Sequence, residues 1–223
     1  MACDQDELSA RRALQQGRRP LLADAAITVL AREGGRGLTH RAVDREAGVP
    51  EGTAKNYYPT RDSLLTAAAN RMADQHRAAV AQLRATTPTG VSPQQVRALY
   101  PAMIRRAVHS DPTQVLAMFE LYLAAVRRPE VRDALGEMVT ANADATVELH
   151  RASGLASGTE PAALLNACLL GVMVSELALD PKALRAIGLD DIDEVGGQLF
   201  DATTDDCPQV GRPLSARARF VEG

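Results

Sequence analysis

Tryptophan is missing from this 223-residue chain, and aromatic residues make up only 3% of it. Sheets draw heavily on aromatic and β-branched side chains. With 46% apolar residues, alanine and leucine foremost, the composition favours helices. Cysteine is scarce: Cys3, Cys168 and Cys207 lie far apart, without the spacing of metal ligands, and an odd count suits free thiols in a reducing compartment. Four histidines (His40, His76, His109, His150) are equally scattered. There is no P-loop, no G-x-G-x-x-G, no H-E-x-x-H and no G-x-S-x-G. These absences exclude the common enzyme signatures, so the chain is expected not to be an enzyme and to need no cofactor and no metal. No apolar run is read as approaching the roughly 20 residues of a membrane span, and the opening MACDQDELSARR lacks an apolar signal region. A cytoplasmic location without membrane contact is the expectation.

Against these absences, residues 39–61, THRAVDREAGVPEGTAKNYYPTR, stand out. Thr39 can cap a short helix, HRAVDREA, through its hydroxyl. Leu38 and Val43 have the spacing of a hydrophobic staple. Gly48 can take the left-handed conformation that ends that helix, and Val49 is expected to tuck between the two helices. Pro50 suits the first turn of a second helix, which Pro59 limits to about two turns. Two short helices around such a turn are the layout of a helix-turn-helix reader, with the second helix sized for a major groove. By geometry, Lys55 suits guanine O6/N7 and Asn56 suits adenine N6/N7. Charge agrees: residues 11–61 hold ten Lys/Arg against five Asp/Glu, while residues 62–223 hold fifteen against twenty. An acidic chain (net charge −3) with its positive charge gathered on one small domain has a footprint for phosphates.

The run Ala47, Gly48, Val49, Pro50, Glu51, Gly52, Thr53, then Tyr57, Tyr58, Pro59, Thr60, Arg61, Asp62 and Leu64 resembles the tetracycline-repressor (TetR) family of bacterial regulators, over roughly residues 20–65. The resemblance implies phosphate contacts at Thr39, Arg41 and Tyr57. It implies a base or phosphate contact at Thr53, and sequence reading at Lys55 and Asn56. Arg61 replaces the usual lysine and can serve the same anion. Tyr58 matches a buried aromatic, so packing is its expected role. Glu51 departs from the pattern, since many members have lysine there. Most members repress, so the resemblance implies a repressor released from a pseudo-palindromic operator in double-stranded DNA by a small-molecule effector. The remaining alternative is a helical dimeric interaction module without specific DNA binding.

The rest of the chain is punctuated as helices, and the fold class expected is all-α: an N-terminal three-helix helix-turn-helix DNA-binding domain plus a C-terminal helical ligand-binding and dimerisation domain. The divisions expected are a flexible arm at 1–18, the DNA-binding domain at 19–60, the body at 61–203 and a disordered tail at 204–223. Arg11, Arg12, Arg18 and Arg19 of the arm either reach DNA or form a solvated tail. Helices are expected from Pro20 to Gly34, from Arg61 to about Arg84, from about Pro93 to Ser110, after Asp111-Pro112 to Arg128, from Pro129 to Ala152, over 160–179, near 182–187 and near 190–202. Met103, Met118, Phe119, Tyr122, Met138, His150 and Met173 are adaptable or aromatic groups that suit an apolar effector, or simply fill a core. Ala163, Ala167, Gly171 and Ser175 form a small-residue stripe at four-residue spacing, fit for a homodimer interface or for internal packing.

Overall fold

The computed structural model describes residues 2–86 and 91–204, for residues 2–16, 80, 83 and 84 the backbone alone. The described residues form ten α-helices and one π turn, with no strand among them. In chain order these are α1 (Ala2–Gly37), α2 (His40–Glu46), α3 (Thr53–Tyr57), α4 (Arg61–Thr86), α5 (Pro93–Arg105), a π turn (Arg106–Ser110), α6 (Thr113–Ala125), α7 (Pro129–Ala152), α8 (Thr159–Ala178), α9 (Pro181–Ile187) and α10 (Ile192–Thr203). The chain packs as two compact units. One comprises Met1–Gln82 with His109–Ala141, the other Leu83–Val108 with Asn142–Gly223.

Three expectations need correction. The first helix does not begin at Pro20. It runs from Ala2, so residues 2–18, expected as a flexible arm, are helical. The stretch before Gly17 is free of proline and glycine and rich in helix formers, and α1 continues through Pro20. The helix of residues 93–110 does not stay α-helical, because its last turn widens into the π turn. Finally, α8 is 20 residues long with a window of mean hydropathy 1.6, long and apolar enough by length and composition to cross a membrane. Its polar residues are spread thinly among alanine and leucine, so no single apolar run reveals it. The tail expected at 204–223 lies outside the described residues beyond Thr204.

The first unit forms around one apolar cluster. Leu22, Ile27, Val29 and Leu30 of α1 meet Val43 of α2, Ala54 of α3, Leu64 and Leu65 of α4, and Leu121 of α6. Fully burying each such side chain stabilises by roughly 1.5–3 kcal/mol. Leu38 is buried in the same cluster, as the staple spacing predicts. Polar clasps add direction. Arg71 holds the Asp24 carboxylate through two hydrogen bonds of 2.7 and 2.9 Å, Gln75 adds a third at 2.7 Å, and Arg128 pairs with Asp62 at 2.7 Å.

In the second unit, α5 begins with a capping box in which Ser92 and Gln95 satisfy each other's backbone amides. Two forked ion pairs join α5 to α10: Arg97 with Asp201 at 2.9 and 2.8 Å, and Arg105 with Asp193 at 2.8 and 2.7 Å. Between them Tyr100, His150 and Phe200 stack with ring centroids 5.5–6.1 Å apart.

Candidate nucleic-acid interface

The reading helix α3 is set by a side chain outside it. Asp44 of α2 is buried, 2% exposed. Its two carboxylate oxygens accept the backbone N–H groups of Gly52 at 2.7 Å and Ala54 at 2.6 Å. The first N–H groups of a helix lack partners within it, and α3 has no cap from its own Gly52. Asp44 fills that role from the preceding helix and so fixes the angle between α2 and α3. Gly52 has φ 90°, a left-handed conformation that glycine takes at little cost. Pro50 consequently lies before α3 rather than in its first turn. Its carbonyl accepts both the N–H of Thr53 at 3.1 Å and the Thr53 hydroxyl at 2.6 Å. The expected two-turn helix is a single tight turn, Thr53–Tyr57.

Thr39 caps α2 as expected, its hydroxyl accepting the Ala42 N–H at 3.1 Å. Ala54 and Tyr58 face inward, while Lys55 and Asn56 are exposed and Tyr57 is half-buried against the core. The Tyr58 hydroxyl donates to the Arg19 carbonyl at 3.1 Å, and burial pushes its pKa up, against the opposing pull of the Arg19 charge. His40 meets the Tyr58 carbonyl through Nε2 at 2.6 Å.

Two of the expected phosphate anchors are already engaged. Arg41 pairs with Glu51 across the turn, both side chains largely in solvent. Arg61 donates to the Gly35 carbonyl. Meanwhile Arg18 and Arg19 of α1 line one notch of about 440 Å³ together with Thr53, Asn56 and Tyr57. From sequence, Arg18 and Arg19 either reach DNA or belong to a solvated tail. Sequence reading passed over Asp44 altogether, since an acid inside a short helix looks like a surface residue.

The geometry is that of a helix-turn-helix head, and the comparisons agree with it. Residues 91–195 match a family model described as the tetracyclin repressor-like C-terminal domain. Over these residues the chain is similar to the TetR family. Its relatives include the HTH-type transcriptional repressor KstR of Rhodococcus jostii strain RHA1, 29% identical over 121 residues. The chain spans about half of that relative's length, 54% of it and of itself. Among solved structures, the multidrug binding protein EbrR complexed with ethidium is 27% identical with a TM-score of 0.56, covering 82% of this chain and 98% of that one. A TetR family member from Streptomyces coelicolor A3 is 28% identical with a TM-score of 0.57, covering 82% and 95%.

The other sequence-selected residues fall into separate places. Met118, Phe119 and Tyr122 lie on α6, with Phe119 and Tyr122 exposed. Met138 is part of the first unit's core. Met103 is exposed on α5, and Met173 is buried on α8. His150 is fully buried, its Nε2 2.6 Å from the Tyr100 hydroxyl and its Nδ1 without a partner among the described residues. Burial lowers the His150 pKa and raises that of Tyr100. An open cavity of about 510 Å³ in the second unit is bordered by Arg97, Leu155, Phe200 and Asp201, and none of the seven selected residues lines it. Of the small-residue stripe, Ala163 packs inward against Ala143 and Val147, whereas Ala167 and Gly171 are exposed. Ser175 turns its hydroxyl onto the Gly171 carbonyl at 2.9 Å.

Proposed function

We propose that the protein is a homodimeric transcriptional regulator that binds a pseudo-palindromic operator through α3 and releases it when a small molecule occupies the helical body. The observation that carries this reading is the head itself. A buried carboxylate, Asp44, presets α3 with Lys55 and Asn56 in solvent and the Tyr57 ring at its edge. No internal packing need accounts for an exposed Lys-Asn pair on a helix so firmly held, whereas base edges in a major groove do. The likeness to KstR, a transcriptional repressor, supports repression as the mode.

In this reading Thr53, Lys55 and Asn56 face the groove, while Thr39 and Tyr57 touch the backbone on either side. Two heads related by a two-fold axis read half-sites about one helical turn apart. The exposed surface of α8 around Ala167 and Gly171, flanked by the exposed Leu164, supports the pairing of two copies there.

Effector release follows from the place of α6. Its inner face, Ala117, Leu121 and Ala125, is buried in the head's core, and its outer face exposes Leu116, Phe119 and Leu123. A molecule settling on that apolar face acts on the head through one helix. EbrR, whose structure holds ethidium, lends support to a small-molecule ligand in the body. By linkage, DNA then weakens the ligand by the same coupling free energy.

The test is equilibrium binding of head variants to duplex DNA. Lys55→Ala should cost about 1–3 kcal/mol on the cognate site and relax base preference there. Tyr57→Phe should weaken all sequences evenly. Unchanged affinity in both variants contradicts the assignment.

A further inference from the structure

We infer that Arg18 and Arg19 of α1, together with Tyr57 of α3, form a seat for a DNA backbone phosphate, and that this seat replaces the anchors expected at Arg41 and Arg61. The inference rests on the regulator reading above and extends it to residues outside the turn motif.

The other cations expected to anchor phosphates are engaged elsewhere. Arg41 lies beside the Glu51 carboxylate. An exposed pair of this kind is weak, but a phosphate approaching it meets an acid as well as a base, so the site attracts little net charge. Arg61 spends its guanidinium on the Gly35 carbonyl inside the unit. Arg18 and Arg19, by contrast, are exposed and have no acidic partner among the described residues.

The notch itself is built for an anion. Arg19 is held in place, its guanidinium carbon 5.8 Å from the Tyr57 ring centre and 5.6 Å from that of Tyr58. A guanidinium above aromatic rings keeps its N–H edges free for a planar fork onto phosphate oxygens. The Tyr58 hydroxyl fixes the same residue by its carbonyl. Around Arg18 and Arg19 stand Thr53, Asn56 and Tyr57. The Asn56 amide and the Tyr57 hydroxyl can donate hydrogen bonds, the Thr53 hydroxyl already donates to the Pro50 carbonyl, and no carboxylate lines the notch. Its place against α3 puts the bound anion next to the groove-facing residues, where a duplex offers phosphodiesters and few other anions. The seat carries no base information: it positions α3 in register, and Lys55 and Asn56 read.

The experiment measures affinity against salt concentration for the full chain on a duplex selected from a random pool, and on a scrambled duplex. Arg18→Ala and Arg19→Ala should each lower the slope of log K against log salt by about one. At fixed salt each should lose roughly tenfold in affinity, by the same factor on both duplexes. Arg18→Ala removes no hydrogen bond or ion pair to a described residue, and Arg19→Lys keeps the charge while losing the stacked plane; the latter should retain the slope and lose part of the affinity. Thermal melting of each variant checks folding. Folded Arg18→Ala and Arg19→Ala proteins with an unchanged slope overturn the seat while leaving the regulator reading intact. A larger slope loss in Arg41→Ala or Arg61→Ala than in the notch variants also overturns it. Wild-type protein that binds neither duplex removes the regulator reading and the seat together.

Discussion

The Glu120 carboxylate accepts the backbone N–H of Gly35 at 2.8 Å, joining α6 to the corner at the end of α1. The carbonyl of the same Gly35 accepts from Arg61 at the start of α4. One glycine is thus gripped by the helix that carries the exposed apolar face and by the helix that follows the reading helix. Gly34, just before it, has φ 68°, which a side chain would strain. Removing the Glu120 carboxylate should loosen the head without touching DNA. Glu120→Ala is expected to cost about 1–2 kcal/mol in urea unfolding and to weaken all duplexes alike. Glu120→Gln, which keeps an acceptor, should recover most of the loss.

Asp44 offers a sharper test of how α3 is set. Its replacement by alanine leaves two amides at the start of α3 without their acceptor. Asp44→Ala should destabilise by roughly 2–3 kcal/mol. It should also depress DNA affinity beyond what the lost stability explains, because α3 loses its angle. Asparagine keeps one good acceptor and should show an intermediate loss in both. DNA affinity unchanged in a folded Asp44→Ala protein would contradict this role.

These two cases mark how far the sequence could be read. Helix boundaries were legible because prolines and glycines sit at them: Pro93, Pro129 and Pro181 open helices, and Gly188 closes one. Thr39 was legible as a cap because capping is local. Asp44 and Glu120 were not, because their partners are backbone N–H groups 8 and 85 residues away in sequence. The engagement of Arg41 by Glu51 was half legible: the acid at position 51 stood out against the family pattern, but its partner ten residues back did not. For Arg19 the choice between DNA contact and solvated tail stayed open in the sequence, because the two tyrosines beside its guanidinium are brought there by the fold.

Buried histidines give the protein an acid-sensitive stability. Desolvation lowers the pKa of His150 and of His76 below the ordinary 6.5. Below that value the unfolded chain binds more protons than the folded one, so stability falls as pH falls and levels off only beneath the folded pKa. The melting temperature should therefore drop between about pH 7 and pH 5. A His150→Gln, His76→Gln double variant should flatten that drop. Asp193 and Asp201 act in a lower window: hydrogen bonds from Arg105 and Arg97 depress their pKa values, so their contribution is present above the ordinary carboxylate range and lost as pH falls through the depressed values.

The α8 surface is open to a direct challenge. No atom outside its own neighbourhood lies within 4 Å of a Cβ placed at Gly171, and the residue is exposed. Gly171→Glu is therefore compatible with the fold of one chain but places like charges against each other across a two-fold axis. Sedimentation should show wild-type dimers and Gly171→Glu monomers. Monomers should lose most operator affinity, since each head alone makes half the contacts.

The central claim is that α3 reads sequence as one of a pair of heads. Selection of bound duplexes from a random pool, at about physiological salt, tests it most directly. An inverted repeat with half-site centres about one helical turn apart should be enriched, and Lys55→Ala should weaken that enrichment. A folded, dimeric protein that enriches no sequence, with or without Lys55, would contradict it.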